Sequence, residues 1–232
     1  MTRGTLQDEV LEDLAEAVNY RRWLVDLALP YLGDDPLEVG SGIGLYAEDW
    51  RAAGVGKLTV SEADSGRLAV LRDRFRHDPA VVVRELALPV AEQASYAAVV
   101  AYNVLEHIAD DRAALAGLRD LLRPGGRVVV LVPAFPSALG RFDRAIGHHR
   151  RYRKRSLRAV AEAAGLDVEV LKHVNGLGLL GWYVVVKLLR GRPRAGVLLR
   201  LYDGAVVPVL RRLESRWEPP FGQSLLLVAR RL

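Results

Sequence analysis

The sequence predicts an α/β fold in which a mostly parallel β-sheet is covered by helices on both faces. Segments with strand-like and helix-like patterns alternate from residue 36 to residue 173. The apolar runs at 97–102 and 127–132 are continuous rather than alternating, which is typical of strands buried on both faces. A glycine-rich turn also follows the first predicted strand. Alternating strands and helices favour a parallel sheet, and such a turn lies where parallel sheets bind ligands.

The elements follow one another in a regular order. A first helix is predicted over 5–29, because apolar residues recur every four positions, Thr5 and Asp8 form a capping-box-like start, and Pro30 stops the helix. A later helix is expected to end at the Pro124-Gly125-Gly126 turn. The predicted strands are 36–39, 57–61, 81–84, 97–102, 127–132, 167–173 and 224–228. The further predicted helices are 45–53, 65–77, 110–122 and 154–164.

Composition excludes several classes of protein. The 232-residue chain has no cysteine, and its five histidines are not spaced as a zinc motif, so we expect neither a disulfide framework nor a bound metal. The absence of cysteine fits a reducing cytoplasm, and no secretory signal is expected. The most apolar stretch, 176–189, is interrupted by Lys187 and is shorter than the roughly 20 residues of a spanning helix. The net charge of +5 leaves the choice of partner open.

A turn with glycines at alternate positions follows the first predicted strand, from Glu38 to Gly44. The glycines let the backbone bend tightly and let a ligand approach without meeting a Cβ atom. A dinucleotide fingerprint would need glycine or alanine at position 45, which is Leu45, and the Gly-Lys-Ser/Thr of a P-loop is absent. The turn therefore favours a cofactor without a phosphate group at this position.

A carboxylate at Glu62 ends the second predicted strand, about twenty residues beyond the glycine turn. It is placed to accept hydrogen bonds from both hydroxyls of a ribose. S-adenosylmethionine has a ribose diol, an ammonium and a sulfonium but no phosphate, so it suits a site with carboxylates at Glu38 and Glu62. The sequence thus predicts S-adenosylmethionine as the cofactor.

Four motifs resemble those of class I S-adenosylmethionine-dependent methyltransferases, over nearly the whole chain. They are LEVGSGIG at 37–44, SEAD at 61–64, AYNVLEHIADD at 101–111 and LLRPGGRVVVLVP at 121–133. The resemblance implies a Rossmann-like, seven-stranded, mostly parallel sheet with helices on both faces and an antiparallel final strand. One position departs from the family pattern, since Ala97 stands where the family often has an acid.

The resemblance also assigns contacts to the cofactor. The glycines of the turn would line its methionine part, Glu62 would bind the ribose, Glu85 and Leu86 would flank the adenine, and Asn103 would face the sulfonium. Tyr20 and Trp23 on the first helix would cap the cofactor, although ordinary core aromatics would give the same pattern. The predicted cofactor set is Tyr20, Trp23, Glu38, Gly40, Ser41, Gly42, Gly44, Glu62, Ala63, Glu85, Leu86 and Asn103.

Transfer of a methyl group to a hydroxyl requires a base to remove the acceptor proton. After the fifth strand, the chain resembles a bacterial subset of the family with a GHxRRY segment, here Gly147 to Tyr152. His148 is favoured over His149 as the base, with Asp143 as its orienting partner and Tyr152 as a hydrogen-bond donor to substrate. The alternative is that the segment caps the next helix and pairs its arginines with acids. His107, in the fourth-strand motif, is another candidate base.

The remaining sequence bears on the acceptor. Residues 176–222 mix large apolar residues with arginines, and we expect two or three helices that form a lid over an apolar pocket. A homodimer surface or a peripheral membrane contact would have the same composition. The basic run 150–155 would suit an anionic substrate or an RNA backbone. The sequence favours O-methylation of a small apolar or anionic molecule over nucleic acid, with RNA or membrane-lipid methylation as alternatives.

These predictions divide the chain into one domain of four parts. Residues 1–30 form the N-terminal helix, 36–175 the cofactor-binding core, 176–222 the helical insertion or lid, and 223–232 the final strand.

Overall fold

A computed structural model describes Leu6, Leu11, residues 14–182 and residues 196–232 of the chain. Its strands are β1 (Pro36–Val39), β2 (Leu58–Glu62), β3 (Val81–Glu85), β4 (Tyr96–Tyr102), β5 (Leu122–Pro133), β6 (Leu166–Val174) and β7 (Ser224–Arg231). The helices are α1 (Val18–Ala28), α2 (Leu45–Ala52), α3 (Ser65–Arg74), α4 (Asp111–Asp120), α5 (Arg141–Ile146), α6 (Lys154–Ala163), α7 (Gly176–Trp182), α8 (Val197–Leu201) and α9 (Val207–Glu214). A single π-helical turn, Tyr202–Val206, joins α8 to α9.

The seven strands form one sheet in the order β3-β2-β1-β4-β5-β7-β6. β1 to β5 pair in parallel, and β7 lies antiparallel between β5 and β6. The strand order reverses at β1 and β4, so a crevice opens beyond their carboxyl ends, where doubly wound sheets bind ligands. The predicted seven-stranded, mostly parallel sheet is confirmed.

Alternate residues of the central strands pack into two apolar layers, one on each face of the sheet. Along β4, Val99 and Ala101 join the layer that α4 and α6 cover, whereas Val100 and Tyr102 join the layer that α1, α2 and α9 cover. Successive side chains of a strand point to opposite faces, so a strand with helices on both sides is apolar throughout. This arrangement explains the continuous apolar run at 97–102.

The predicted first helix is interrupted in the structure. Residues 14–16 are helical, Ala17 leaves the helical conformation, and α1 begins at Val18. Thr5 and Asp8, the predicted capping box, lie outside the described residues. α1 has no side-chain cap of its own; instead Asp203 of the π-helical turn accepts hydrogen bonds from the backbone amides of Asn19 at 2.9 Å and Tyr20 at 2.8 Å. The insertion therefore supplies the cap of α1.

The Pro124-Gly125-Gly126 turn was expected to end the helix before it, but it lies inside β5. α4 already ends at Asp120, and β5 begins at Leu122. The pairing of β4 with β5 shifts register between Tyr96 and Ala98, which makes room for the turn. A Cβ atom on Gly126 would lie 2.9–3.1 Å from three backbone oxygens, so the two strands approach this closely only because the residue is glycine.

The described part of the insertion between β6 and β7 contains the helices α7, α8 and α9, as predicted, and a non-helical segment, 215–223, leads into β7. Residues 183–195 lie outside the described residues. None of the described helices is long and apolar enough to cross a membrane. The division of the chain into four parts of one domain stays a prediction.

Candidate active site

A cavity of about 970 Å³ opens at the carboxyl ends of β1, β2 and β4. One side is formed by the glycine turn after β1 and the end of β2, and another by the loop after β4 and by α5. The insertion contributes Gly178, Leu198, Leu199 and Tyr202 to the lining. Members of the two predicted groups, for the cofactor and for catalysis, thus line one cavity.

The glycine turn comes close to the loop after β4. Gly40 and Gly42 line the cavity with positive φ angles of 72° and 57°. A Cβ atom on Gly40 would lie 2.5 Å from Cγ2 of Val104, so this close approach requires glycine. Gly44 has a different role, because a Cβ atom there would meet Phe75 and Leu71, away from the cavity. Gly44 is therefore needed for the packing of α2, and its predicted contact with the cofactor is not supported.

Glu62 is fixed at the end of β2 by three backbone donors. Its Oε1 accepts from the amides of Ala63 at 2.9 Å and Asp64 at 3.0 Å, and its Oε2 accepts from the amide of Gly42 at 2.9 Å. The side chain lines the cavity, and a carboxylate accepts about four hydrogen bonds, so Oε2 keeps capacity for a ligand hydroxyl. Of the predicted neighbours, Ser41 and Ala63 line the cavity as well.

Glu38 lies behind the glycine turn rather than on the cavity wall. The side chain is buried, and no hydrogen bond from another described residue reaches Oε2. Burial raises the pKa of this carboxyl group to about 7, with a smaller contribution from the negative charge of Glu62, against a hydrogen bond from Ser41 that lowers it. The predicted direct contact of Glu38 with the cofactor is therefore not supported.

The other predicted cofactor residues divide into two groups. Tyr20, Leu86 and Asn103 line the cavity, and Asn103 has a positive φ of 54°, which asparagine tolerates better than most residues. Trp23 is buried in the core under α1 and does not line the cavity, as the core-aromatic alternative expects, and its predicted contact with the cofactor is not supported. Glu85 ends β3 with an exposed side chain outside the cavity, and its predicted place beside the adenine is not supported.

Two histidines and a buried acid line the same cavity as the glycine turn. His107 follows β4, His148 follows α5, and their rings meet edge to face with centroids 4.6 Å apart. Oε1 of Glu106 lies 3.8 Å from Nε2 of His148. The Glu106 side chain is completely buried, and burial raises the pKa of its carboxyl group to about 8. The three residues form what we call the Glu106 cluster.

Asp143 holds His148 from behind the cavity wall. Its Oδ1 lies 3.3 Å from Nδ1 of His148, and it accepts hydrogen bonds from Arg151 at 2.6 and 2.9 Å and from the amide of Gly140 at 2.6 Å. Burial acts to raise the pKa of Asp143, but hydrogen bonding with His148 and the charge of Arg151 bring the pKa below its usual value. The aspartate therefore stays ionised and is positioned to orient the imidazole; its catalytic role stays a prediction.

His149 and Tyr152 do not reach the cavity. The side chain of His149 is exposed, and its backbone amide donates to the carbonyl of Glu106 at 2.8 Å. Tyr152 is buried, and its hydroxyl donates to Oδ2 of Asp111 at 2.9 Å. Their predicted catalytic roles are therefore not supported.

Much of the basic run is paired within the protein. Arg151 is buried against Asp143, Arg150 lies 2.6 Å from Asp111, and Lys154 pairs with Glu218. For these three residues the alternative given in the sequence analysis holds, in which the basic side chains pair with acids rather than with a substrate. Arg153 and Arg155 are exposed.

Glu106 was missed as a functional candidate. In the sequence it is only one acid of the fourth-strand motif, and acids are usually exposed. Its position directly before His107, just after a fully buried strand, was the available signal. Side chains at the carboxyl ends of neighbouring parallel strands face the ligand site.

Comparisons with known proteins identify the family of the chain. A family model described as a methyltransferase domain matches residues 13–171, more than half of the chain. An uncharacterized methyltransferase of Mycobacterium tuberculosis is 29% identical over 129 residues, which cover 55% of this chain and 50% of that protein. The polyketide synthase component of the lovastatin nonaketide synthase of Aspergillus terreus is 31% identical over 126 residues, which cover 50% of this chain and 4% of that protein. The chain thus matches half or less of the length of these relatives.

A solved structure of geranyl diphosphate methyltransferase in complex with S-adenosylmethionine has the same fold. It superposes with a TM-score of 0.64 at 16% identity, covering 91% of this chain and 85% of that one. The matched fold, the family model and the glycine turn facing Glu62 are consistent with one another. The chain therefore belongs to the methyltransferase domain family, which confirms the family that the sequence motifs predicted. Its fold is that of a protein solved with S-adenosylmethionine bound. Membership of the bacterial subset with a GHxRRY segment stays a prediction.

Proposed function

We propose that this protein transfers a methyl group from S-adenosylmethionine to an oxygen of a small acceptor, with His148 as the base. The observation that carries the proposal is the position of the Glu106 cluster. Its three residues line the same cavity as the glycine turn and Glu62, so an acceptor bound beside the cofactor would also be within reach of the histidines.

The bound cofactor supplies an electrophilic methyl group. Gly40, Gly42 and Glu62 would hold its methionine and ribose parts, and Asn103 would lie near the reacting centre. The contact of Asp143 with Nδ1 of His148 favours the tautomer that carries the proton there, which leaves Nε2 able to accept the proton of a hydroxyl. Orientation of the acceptor for in-line attack supplies the rest of the rate enhancement.

The acceptor side of the cavity is mainly apolar, and we expect an acceptor with an apolar body. Ile108 and Phe142 line it, together with Leu198 and Leu199 of the insertion, which would act as a lid. A membrane lipid is a second candidate acceptor, because Leu198 both lines the cavity and is 75% exposed, and Val197 beside it is 68% exposed. Such exposed apolar side chains at a cavity entrance suit contact with a lipid surface.

Label transfer would identify the acceptor class. The protein is incubated with methyl-labelled S-adenosylmethionine and, separately, with small-molecule, membrane-lipid and RNA fractions of the host. Label in the small-molecule or lipid fraction supports the proposal, and the fraction distinguishes the two candidates. Label confined to RNA would overturn it and would assign the exposed Arg153 and Arg155 to a nucleic-acid surface.

Two neighbouring histidines provide a matched test of the base. His148→Ala should lower turnover by roughly 100-fold while the affinity for S-adenosylhomocysteine stays unchanged, because the base acts only on the acceptor. His149→Ala should keep normal turnover, since its side chain lies outside the cavity. Full activity of His148→Ala, measured with the acceptor found by labelling, would disprove the assignment.

A further inference from the structure

The Glu106 cluster has the composition of a metal site. Glu106, His107 and His148 each offer one ligand atom, and these three atoms lie within 4.8 Å of one another. We propose that the cluster binds one divalent first-row transition metal ion, such as Zn²⁺. From the sequence we expected no bound metal, because the three ligands come from two separate segments and do not follow the spacing of a zinc motif.

The buried carboxylate is the first argument. Glu106 is completely buried, yet it lines the cavity, and no hydrogen bond from another described residue reaches either of its carboxylate oxygens. A buried carboxylate without a compensating partner is costly, and such groups are usually paired or coordinate a metal. A cation at the cavity wall would supply that partner.

The geometry of the histidines is the second argument. Ligands at about 2.0–2.2 Å from a tetrahedral zinc ion are about 3.3 Å from each other. Nε2 of His148 is already 3.8 Å from Oε1 of Glu106, so small side-chain rotations would complete the site. Asp143 contacts Nδ1 of His148, and a carboxylate on the far nitrogen is the usual partner of a metal-binding imidazole. This contact directs Nε2 toward the ion.

The ligand set indicates the kind of ion. Two imidazole nitrogens with one carboxylate oxygen suit zinc and its first-row neighbours, whereas magnesium and calcium prefer oxygen ligands throughout. Three protein ligands leave coordination positions open, and here those positions would face the cavity. An oxygen of the acceptor would be bound there. Only this last role rests on the proposed function: Nε2 of His148 would act as the base in the metal-free protein, whereas a bound ion would itself polarise the acceptor oxygen and ease the loss of its proton.

Direct binding measurements test the site without any acceptor. The full chain is freed of metal with a chelator, the chelator is removed, and Zn²⁺ is titrated by calorimetry, with Co²⁺ as a spectroscopic probe of the ligands. We expect one equivalent to bind, and the visible Co²⁺ bands to show nitrogen and oxygen ligation. Glu106→Gln and His148→Gln should each weaken Zn²⁺ binding by more than about 100-fold, since loss of a mere orienting partner already costs 10- to 100-fold.

Two controls separate loss of ligands from loss of fold. His77→Gln removes an exposed histidine outside the cavity and should leave Zn²⁺ affinity unchanged. The affinity for S-adenosylhomocysteine, measured on each variant, reports whether the cavity is intact. Binding of no Zn²⁺ by the metal-free protein, or undiminished binding by a Glu106→Gln variant that still binds S-adenosylhomocysteine, would overturn the proposal.

The test also keeps this proposal apart from the proposed function. A protein that binds one Zn²⁺ but transfers label to RNA alone keeps the metal site and loses the small-acceptor function. A protein that transfers label at full rate with chelator present, and binds no Zn²⁺, keeps the function and loses the metal site.

Discussion

The cap that Asp203 provides for α1 should contribute measurably to stability. Asp203 is buried, and its carboxylate accepts from the backbone amides of Asn19 and Tyr20, at the second and third positions of the helix. Oδ2 also accepts from the Asn19 side chain at 3.2 Å. Asp203→Ala leaves these helix-end donors without their acceptor, so the variant should unfold more easily than the wild type.

The size of the effect follows from these contacts. Loss of a capping side chain costs about 0.5–2 kcal/mol, and hydrogen bonds to a charged group are worth about 1.5–3 kcal/mol. Because water can reach part of the helix end, we expect Asp203→Ala to lower the free energy of unfolding by about 2–3 kcal/mol. For a chain of this length each kcal/mol lowers Tm by about 2–4 °C, so Tm should fall by about 4–12 °C.

Chemical denaturation and thermal melting of Asp203→Ala and two further variants would measure this loss of stability. Asp203→Asn keeps one acceptor oxygen but turns its NH2 group toward a donor, so it should lose an intermediate amount, about 1–2 kcal/mol. Asp73→Ala removes an exposed acid that pairs only with its neighbour Arg76, and should stay within about 0.5 kcal/mol of the wild type. Since Tyr20 lines the cavity, Asp203→Ala should also weaken S-adenosylhomocysteine binding. An Asp203→Ala variant within about 0.5 kcal/mol of the wild type would refute the capping argument.

Three further predictions concern the cofactor side of the cavity. Glu62→Ala should weaken S-adenosylhomocysteine binding by about 1–3 kcal/mol in calorimetry, because it removes a charged acceptor, and unchanged affinity would contradict the ribose assignment. Gly40→Ala should lower the free energy of unfolding in denaturant more than Gly54→Ala does. Both glycines have positive φ, but of the two only Gly40 would bring the new Cβ atom against a neighbour, Val104. Equal losses of stability would contradict the close approach. Burial raises the pKa of Glu38 to about 7, above its unfolded value of about 4.3, so the folded state binds more protons between these values and stability falls as pH rises through this window. Relative to Glu38→Gln, the wild type should lose on the order of 3 kcal/mol from pH 4 to pH 8 in denaturation curves, and parallel pH profiles would contradict the buried, protonated acid.

The sequence predicts well what depends on local pattern. The alternation of strands and helices, the glycine turn and the acid at Glu62 all follow from spacing, and all lie where they were expected. The turn at Gly125 and Gly126 was misassigned because glycine and proline signal a break without saying whether a helix ends there or a strand bends. Only the close approach of β4 to β5 decides between the two.

Features that depend on tertiary contacts could not be derived in this way. Trp23 and Tyr20 lie on the same helix with similar sequence surroundings, yet only Tyr20 faces the cavity. His148 and His149 are adjacent, and the turn after α5 directs one inward and the other to solvent. Which arginines of the basic run are paired depends on acids far away in the chain, such as Asp111. Side-chain direction and partners of this kind become visible only in three dimensions.

The position of β7 between β5 and β6 has a consequence for synthesis on the ribosome. β6 has no other neighbour in the sheet, and β5 has β4 on one side only, so both strands keep an unpaired edge until β7 has been made. At about 5–20 residues per second, the roughly fifty residues from the end of β6 to the start of β7 take about 3–10 seconds to translate. During that interval the edges of β5 and β6 that β7 will pair stay open, and open edges favour pairing with the wrong partner. Binding of a chaperone to the nascent chain would be of most use in this interval.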